Sequence, residues 1–262
     1  MKGFYPALRT EIMKVGKSKI LWISILFFVF LGMMIGLLMF LSKHPDIAGK
    51  SSILGTKASV FGTPYWPAYL NLLVQMALSV GSVGSGIVAI WIFGREYSDN
   101  VIKDLLALPV SRYSFVVSKF IIILAWSIIL VLVLFIAGIT MGFVVGLENW
   151  SWQIMRAVFI NYFFSSLLTI LLCTPFALIA CMSRGYLLPV AFVILTLIVT
   201  QFVFVGIPGL IPWFPWAIPA LFSGVAGRSA SNTGLVSLLV LLITSFAGFA
   251  GTAEWWNLAD QK

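Results

Sequence analysis

Charged residues are scarce in this sequence. Sixteen Lys or Arg and eight Asp or Glu make up only 9% of its 262 residues, whereas 61% of the residues are hydrophobic. A water-soluble globular domain carries about a quarter charged residues, and so large an apolar fraction leaves too little polar surface to cover one core. The composition therefore excludes an ordinary soluble domain and indicates a chain that lies in a lipid bilayer.

Histidine and cysteine are also rare, which narrows the chemistry open to the chain. His44 is the only histidine, so the sequence excludes a histidine-based metal cluster and a Ser-His-Asp site. Cys173 and Cys181 lie in one apolar run, where cysteine usually serves as a small hydrophobic packing residue. The apolar runs contain no HExxH motif and no paired carboxylates, which argues against an intramembrane protease or a lipid-modifying enzyme. We expect no catalytic residue, no metal site and no cofactor in this chain.

Two short sequences imitate the end of a nucleotide-binding P-loop. The tripeptide Gly-Lys-Ser occurs at residues 16–18 and again at residues 49–51. The full motif needs a glycine five positions before its second glycine, but Glu11 and His44 occupy those positions. The sequence therefore predicts that ATP and Mg²⁺ are not bound by this chain.

Six long runs contain no charged residue. They cover residues 20–42, 58–94, 120–147, 157–183, 185–227 and 229–253. About 20 apolar helical residues cross the hydrocarbon of a bilayer. We therefore predict an all-α, polytopic membrane protein, with one transmembrane domain over residues 1–262 and spans at about 20–41, 68–93, 116–146, 157–182, 186–206 and 233–253.

The distribution of Lys and Arg predicts the orientation. With the N-terminus in the cytoplasm, eleven of these residues lie on the cytoplasmic side and five outside. Lys and Arg accumulate in cytoplasmic loops, so we expect both termini in the cytoplasm and the chain in a bacterial plasma membrane. The net charge of +8 then reflects topology and contact with anionic headgroups. No basic face with aromatic readout is visible, so nucleic acid is not an expected partner.

The basic N-terminus has an apolar repeat. Phe4, Leu8, Ile12 and Val15 recur at helical spacing, which predicts an interfacial helix within residues 1–19 with its apolar side toward the membrane. A disordered basic tail is the alternative interpretation.

Small residues and prolines mark special positions in the spans. Pro175 is expected to kink the fourth span. Between the fifth and sixth spans, prolines and tryptophans alternate over residues 207–228; they predict either a pair of short helices or re-entrant hairpin, or a plain aromatic-belt loop. The second span contains candidates for close helix packing or dimer contact, namely Gly81, Ser82, Gly84, Ser85 and Gly86.

One segment between the second and third spans concentrates charge. Within residues 93–112, apolar residues occupy one side of a helical wheel and polar residues the other, and Asp99 and Lys103 form an i, i+4 pair that supports a helix. Pro109 is expected to end this helix. We predict an amphipathic helix over about 95–109 at the cytoplasmic surface, which could be no more than a solvated surface helix.

The sequence GREYSDNVIKDLLALPVSRYSFVVSKF of this segment resembles the cytoplasmic loop of ABC type-2 exporter permeases. The matching positions are Glu96, Val101, Leu105, Leu106, Pro109, Val110, Ser111, Arg112 and Lys119. Asn100-Val101 replaces the frequent Gly-Thr of that family. The Gly-Thr-Lys sequence that ends at Lys57 and the terminal EWWNLADQK are similar to the bacitracin-resistance and lantibiotic-immunity branch.

This resemblance implies a membrane subunit that pairs with a second permease and with two cytoplasmic ATPase subunits, which bind ATP and Mg²⁺. It also implies that the charged loop is a coupling helix that seats in a groove of the ATPase. The residues that this role would assign are Arg95, Glu96, Asp99, Asn100, Lys103, Asp104, Pro109 and Arg112.

The function predicted on this basis is export of an amphiphilic substrate, such as a peptide antibiotic, a drug or a lipid-like molecule, by alternating access. Two alternatives stay open. One is an ion-coupled carrier or channel, although the middle of each predicted span lacks the ionisable residues such proteins use. The strongest polar groups within the predicted spans are Asn161 and Gln201. The other is a membrane scaffold or regulator that transports nothing.

The predicted topology can be checked by labelling. Single cysteines within 43–66, 148–156 and 208–231, in a background without Cys173 and Cys181, should react with a membrane-impermeant maleimide on intact cells. Cysteines within 95–115 and 255–262 should react only after the cells are opened. Labelling of position 100 from outside intact cells would contradict the topology.

Overall fold

The protein is helical throughout the part that the structure describes. The structure, a computed structural model, describes residues 4–44, 65–98, 111–224 and 234–258. In these ranges the one β-type contact is an isolated bridge between Tyr65 and Glu148. The helices are α1 (Phe4–Gly16), α2 (Lys19–Lys43), α3 (Trp66–Ser98), α4 (Arg112–Val145), α5 (Trp152–Leu171), α6 (Thr174–Ser183), α7 (Leu187–Gly206), α8 (Ile218–Ser223) and α9 (Gly234–Leu258).

Six helical segments within the described residues are long and apolar enough to cross a membrane. They are α2, α3, α4, the pair α5–α6, α7 and α9. The prediction of an all-α protein with six spans is therefore confirmed. The main differences lie at the ends, since α3 and α4 have 33 and 34 residues and α9 continues to Leu258.

The end of α3 corrects the predicted coupling helix. Because α3 continues to Ser98, Arg95 and Glu96 belong to the last turn of a spanning helix, and the prediction of a separate helix that begins at 95 was wrong at its start. The sequence between Phe93 and Ser98 contains no proline, so every residue there can donate a backbone hydrogen bond within the helix. Asp99, Asn100, Lys103, Asp104 and Pro109 lie outside the described residues.

The N-terminal helix forms, as predicted, but its buried stripe includes Glu11 and not Ile12. Ala7, Glu11 and Val15 are buried, whereas Ile12 is 53% exposed. The helix packs against α4 with Glu11 toward the bundle. The contacts of this carboxylate, described below, explain the rotation, since they outweigh the burial of one more isoleucine.

Helix α4 lies at the centre of the bundle and packs against α1, α2, α3, α5 and α9. Its backbone comes close to α2 at Gly32, as the geometry there shows: a Cβ on Gly32 would lie only 2.7 Å from the Ala137 Cβ. Two buried tyrosines also bind its backbone. The hydroxyl of Tyr69 donates to the Gly138 carbonyl at 2.6 Å, and that of Tyr162 donates to the Val131 carbonyl at 2.8 Å.

The small residues of α3 face different neighbours. A Cβ on Gly84 would lie 2.6 Å from the Phe28 ring of α2, and one on Gly86 would lie 2.9 Å from Val193 of α7. A Cβ on Gly81 would meet nothing within 4 Å. Ser85 is buried, and Ser82 lines a cleft described below. A role of these residues in a dimer stays a prediction.

The fourth span is broken where Pro175 predicts a kink. Helix α5 ends at Leu171 and α6 begins at Thr174, because proline donates no backbone hydrogen bond and its ring collides with the preceding turn. The Thr174 hydroxyl lies 2.7 Å from the Ser245 carbonyl of α9 and 3.2 Å from the Leu171 carbonyl. The single hydroxyl hydrogen can bond either carbonyl. The bond to Leu171 satisfies the carbonyl that the missing N–H of Pro175 leaves without its helical donor.

The proline- and tryptophan-rich segment forms short helices, as the first of its two interpretations predicts. Two 3₁₀ turns at Pro208–Leu210 and Pro215–Ala217 lead into α8. The Trp216 ring lies 5.8 Å from that of Phe176 and 6.1 Å from that of Phe192. Since Phe192 lies in the first half of α7, this segment returns along α7 into the bundle.

Two glycines of α9 offer a matched test of this packing. A Cβ on Gly248 would lie 2.5 Å from the Pro175 nitrogen, whereas one on Gly251 would lie 2.9 Å from the flexible end of Leu178. We expect Gly248→Ala to lower the free energy of unfolding by about 1–3 kcal/mol, because the backbone of α6 must move. Thermal unfolding in detergent should show a smaller loss for Gly251→Ala. Equal midpoints for the two variants would contradict this packing.

Candidate functional site: a buried charge cluster and a polar cleft

Five charged residues meet at the end of the bundle where α3 stops and α4 starts. Glu11 and Lys14 come from α1, Arg95 and Glu96 from the last turn of α3, and Lys119 from the second turn of α4. We call this group the charge cluster, and the end of the bundle that contains it the charged end. The cluster therefore joins the N-terminal helix to both sides of residues 99–110.

Two carboxylates and two ammonium groups alternate at its centre. The Lys119 Nζ donates to Glu96 Oε1 at 2.8 Å and to Glu11 Oε1 at 3.2 Å. The Lys14 Nζ donates to the same two oxygens, at 3.1 Å each. Each carboxylate thus meets two cations, and each cation meets two carboxylates.

Burial makes this arrangement energetically decisive. Lys119 is 0% exposed, Glu11 1% and Glu96 2%. An isolated charge in such surroundings is strongly disfavoured, so ions are buried only when they are paired and hydrogen-bonded. The three residues must therefore stay together, and their contacts fix α1 against α3 and α4.

Two further groups of the charge cluster lie outside these four ion pairs. The Arg95 guanidinium lies 3.9 Å from Glu96 Oε1 and 4.5 Å above the Trp91 ring, so a third cation lies near Glu96. The Glu11 Oε2 atom is buried and has no hydrogen-bond partner within the described residues.

Arg112, predicted to contact an ATPase, also has an internal role. Its Nη1 donates to the carbonyls of Asn257 at 2.9 Å and Trp256 at 3.3 Å. These carbonyls belong to the last described turn of α9, so the guanidinium binds the backbone of that helix directly. The Trp255 indole donates to the Tyr97 hydroxyl at 3.3 Å. The start of α4 and the end of α3 are therefore both bound to the end of α9.

The sequence pattern indicated functional roles for Glu96 and Arg95 but none for Glu11 and Lys14. Lys119 was identified only as one position of the family motif. A signal for Glu11 was present. Leu8, Glu11 and Val15 are spaced three and four residues apart, so the helical period places an acidic residue on the stripe that is buried. Lys14 is only three residues away, but the second partner of Glu11, Lys119, lies 108 positions apart in the sequence and could not be found in this way.

A second site lies away from the cluster, between α3, α7 and the segment before α8. It is a cleft of about 490 Å³, which we call the polar cleft. Hydroxyl and amide side chains line it, and none of the described residues around it is charged; the polar ones are Gln75, Ser79, Ser82, Thr169, Thr196, Thr200 and Gln201.

The polar cleft has unused hydrogen-bonding capacity. The Trp216 Nε1 is buried there without a hydrogen-bond partner among the described residues. Its serine and threonine hydroxyls include Ser79, Ser82 and Thr200, which donate to carbonyls of their own helices and keep lone pairs that can accept. The cleft therefore suits a ligand with uncharged donors and acceptors.

Six spanning segments, with a buried charge cluster at one end and an uncharged cleft between spans, are the architecture of a multi-pass membrane protein. Residues 7–206 match the profile of the ABC-2 family transporter proteins, and the chain belongs to this family. The bacitracin transport permease protein BCRB of Bacillus licheniformis is 25% identical over 173 residues, which cover 66% of this chain and 76% of that protein. The resemblance to the bacitracin-resistance branch of permeases is confirmed, and the chain is an exporter membrane subunit.

Removal of the central cation of the charge cluster is expected to destabilise the protein strongly. Lys119→Met should lower the free energy of unfolding by about 3–5 kcal/mol, because Glu11 and Glu96 would stay buried with less compensation. Lys17→Met removes an exposed lysine and should change it by less than about 0.5 kcal/mol. Thermal unfolding in detergent measures both effects.

Release of α1 can be observed directly in the same variants. Ala7 is 3% exposed, so the cysteine of Ala7→Cys should react slowly with a maleimide in the native background. It should react much faster when combined with Lys119→Met but not with Lys17→Met. An unchanged unfolding midpoint and unchanged protection in Lys119→Met would refute the role of the cluster.

Proposed function

We propose that this permease exports an amphiphilic substrate, and that a separate cytoplasmic ATPase drives the transport. Membership in the ABC-2 family implies association with an ATP-binding subunit. We infer that this subunit binds the ATP and Mg²⁺, that the chain lies in a bacterial plasma membrane, and that the charged end and both termini face the cytoplasm.

The observation that carries the proposal is the polar cleft. Its lining combines uncharged donors and acceptors with the apolar faces of Leu78, Phe204 and Ile211. A molecule with amide or hydroxyl groups on one side and hydrocarbon on the other matches both kinds of surface. The name of the Bacillus licheniformis relative refers to bacitracin transport, which supports a peptide antibiotic as the substrate.

The same cleft supports a second permease chain. Gln75 and Gln201 are exposed in this single chain, and neither side chain has a hydrogen-bond partner within the described residues. An amide that faces hydrocarbon lipid is unfavourable. Cover by a second permease would remove the amides from lipid, and alternating access would then take place between the two chains.

The charge cluster supports a route for the motion. Residues 99–110 connect α3 to α4, and the cluster binds the ends of both helices to α1. A force on this connection would therefore move α1, α3 and α4 together, because relative sliding would separate buried charges.

This geometry changes the role proposed for Glu96. Its carboxylate is buried and already accepts from Lys14 and Lys119, so we assign it an internal positioning role. Contact with the ATPase is proposed for Asp99, Asn100, Lys103 and Asp104.

Transport assays separate the proposal from its alternatives. With its ATPase partner in proteoliposomes, the permease should show bacitracin-stimulated ATP hydrolysis and bacitracin export. An ion-coupled carrier or channel would give flux without the ATPase and with sensitivity to uncouplers. A scaffold or regulator would bind the ATPase but give no directional flux.

Variants of the polar cleft test the substrate site. The double variant Gln75→Leu, Gln201→Leu should raise the bacitracin concentration for half-maximal ATPase stimulation by about tenfold. The reason is that loss of the hydrogen bonds to the two amides weakens binding by about 1.4 kcal/mol, which corresponds to a factor of ten. Gln153→Leu changes an exposed glutamine outside the cleft and should leave this concentration unchanged. Basal ATP hydrolysis should be the same in all three proteins. Equal half-maximal concentrations would place the substrate elsewhere.

A further inference from the structure

A second recess, unrelated to the polar cleft, opens between α4, the α5–α6 break and α9. It has a volume of about 410 Å³ and is almost entirely apolar. Its wall includes Val117 and Leu124 of α4, Leu171 of α5, and Leu242 and Phe249 of α9. We call it the apolar groove. From Val117 to Leu124 it extends about 10 Å along α4, at 1.5 Å per residue.

The rim of the apolar groove faces outward. Ile121 and Leu242 are 39% and 43% exposed, and Phe246 is 70% exposed. All three belong to helices that are long and apolar enough to span a membrane. The surroundings of the groove are therefore the hydrocarbon of the bilayer, and an alkyl chain is the matching occupant.

Polar groups at the charged end distinguish this groove from a bare apolar face. The Tyr113 ring lies 6.3 Å from that of Phe249, which lines the groove. Tyr113 and the adjacent Arg112 are both exposed. Arg112 has no carboxylate within salt-bridge distance in the described part of the chain. Its hydrogen bonds to α9 use only Nη1, so other guanidinium donors remain for an anion.

We propose that the apolar groove binds one anionic phospholipid. One acyl chain lies between α4 and α9, and the phosphate lies at Arg112 and Tyr113. Because Arg112 also binds the end of α9, the lipid holds α9 against α4 beside the charge cluster. The site is distinct from the polar cleft, so it does not depend on the identity of the exported substrate.

The test uses the purified full-length permease with a phosphatidylglycerol that carries a photoreactive diazirine in its acyl chain. Mass spectrometry should place the label on the groove residues of α4, α6 and α9. Unlabelled phosphatidylglycerol should compete about fivefold better than phosphatidylcholine, the preference expected for one basic residue near an anionic headgroup. Phosphatidylglycerol should also raise the unfolding midpoint.

Matched variants identify the contacts. Ile121→Trp fills the groove and should remove the label, whereas Ile129→Trp, at an exposed position of α4 outside the groove, should keep it. Arg112→Gln retains donors for the end of α9 and should abolish the preference for phosphatidylglycerol while labelling persists. Arg156→Gln should preserve that preference.

Three outcomes would overturn the proposal. Label that persists unchanged in Ile121→Trp would place the lipid elsewhere. Crosslinking of two permease copies through the cysteine of Leu124→Cys would make the groove a protein interface. Displacement of the label by bacitracin, with no competition by phosphatidylglycerol, would make the groove a substrate site.

Discussion

The pairing of Lys119 with Glu11 and Glu96 is the contact on which the charged end of this permease depends. None of these side chains could be buried alone, because the free-energy penalty of a dry, unpaired charge exceeds what apolar packing returns locally. Together they fix the rotation of α1, the length of α3 and the position of α4. The exposure of Ile12 and the continuation of α3 beyond its apolar part both follow from this pairing.

The charged end and the spans use different forces. At the charged end, ion pairs and the Arg112 bonds to the end of α9 hold the helices together. Among the spans, close backbone approach at Gly32 and Gly248 and the buried hydroxyls of Tyr69 and Tyr162 do so, since lipid offers little hydrophobic driving force between helices. Ion pairs therefore hold the charged end, and complementary shape holds the spans.

The two recesses differ in the chemistry they offer. The polar cleft presents hydroxyls, amides and the Trp216 indole without a charge. The apolar groove presents hydrocarbon, and Arg112 lies beyond it at the charged end. The first matches a substrate that must bind and leave, because uncharged hydrogen bonds are individually modest. The second matches a lipid that stays, because acyl burial and a phosphate contact act together.

The sequence by itself determined the class of fold, the number of spans and the position of the break at Pro175, since each depends on local hydrophobicity or on proline geometry. It left the segment between α7 and α9 open between short helices and a plain loop. The motif around residues 93–119 also identified the family. Only the tertiary structure decided which way α1 turns, where α3 ends, and that Glu96 faces Lys119 and not solvent. The reason is physical: a helical pattern shows which residues share a face, but the partner of a buried charge is chosen by the packing of helices that are far apart in sequence.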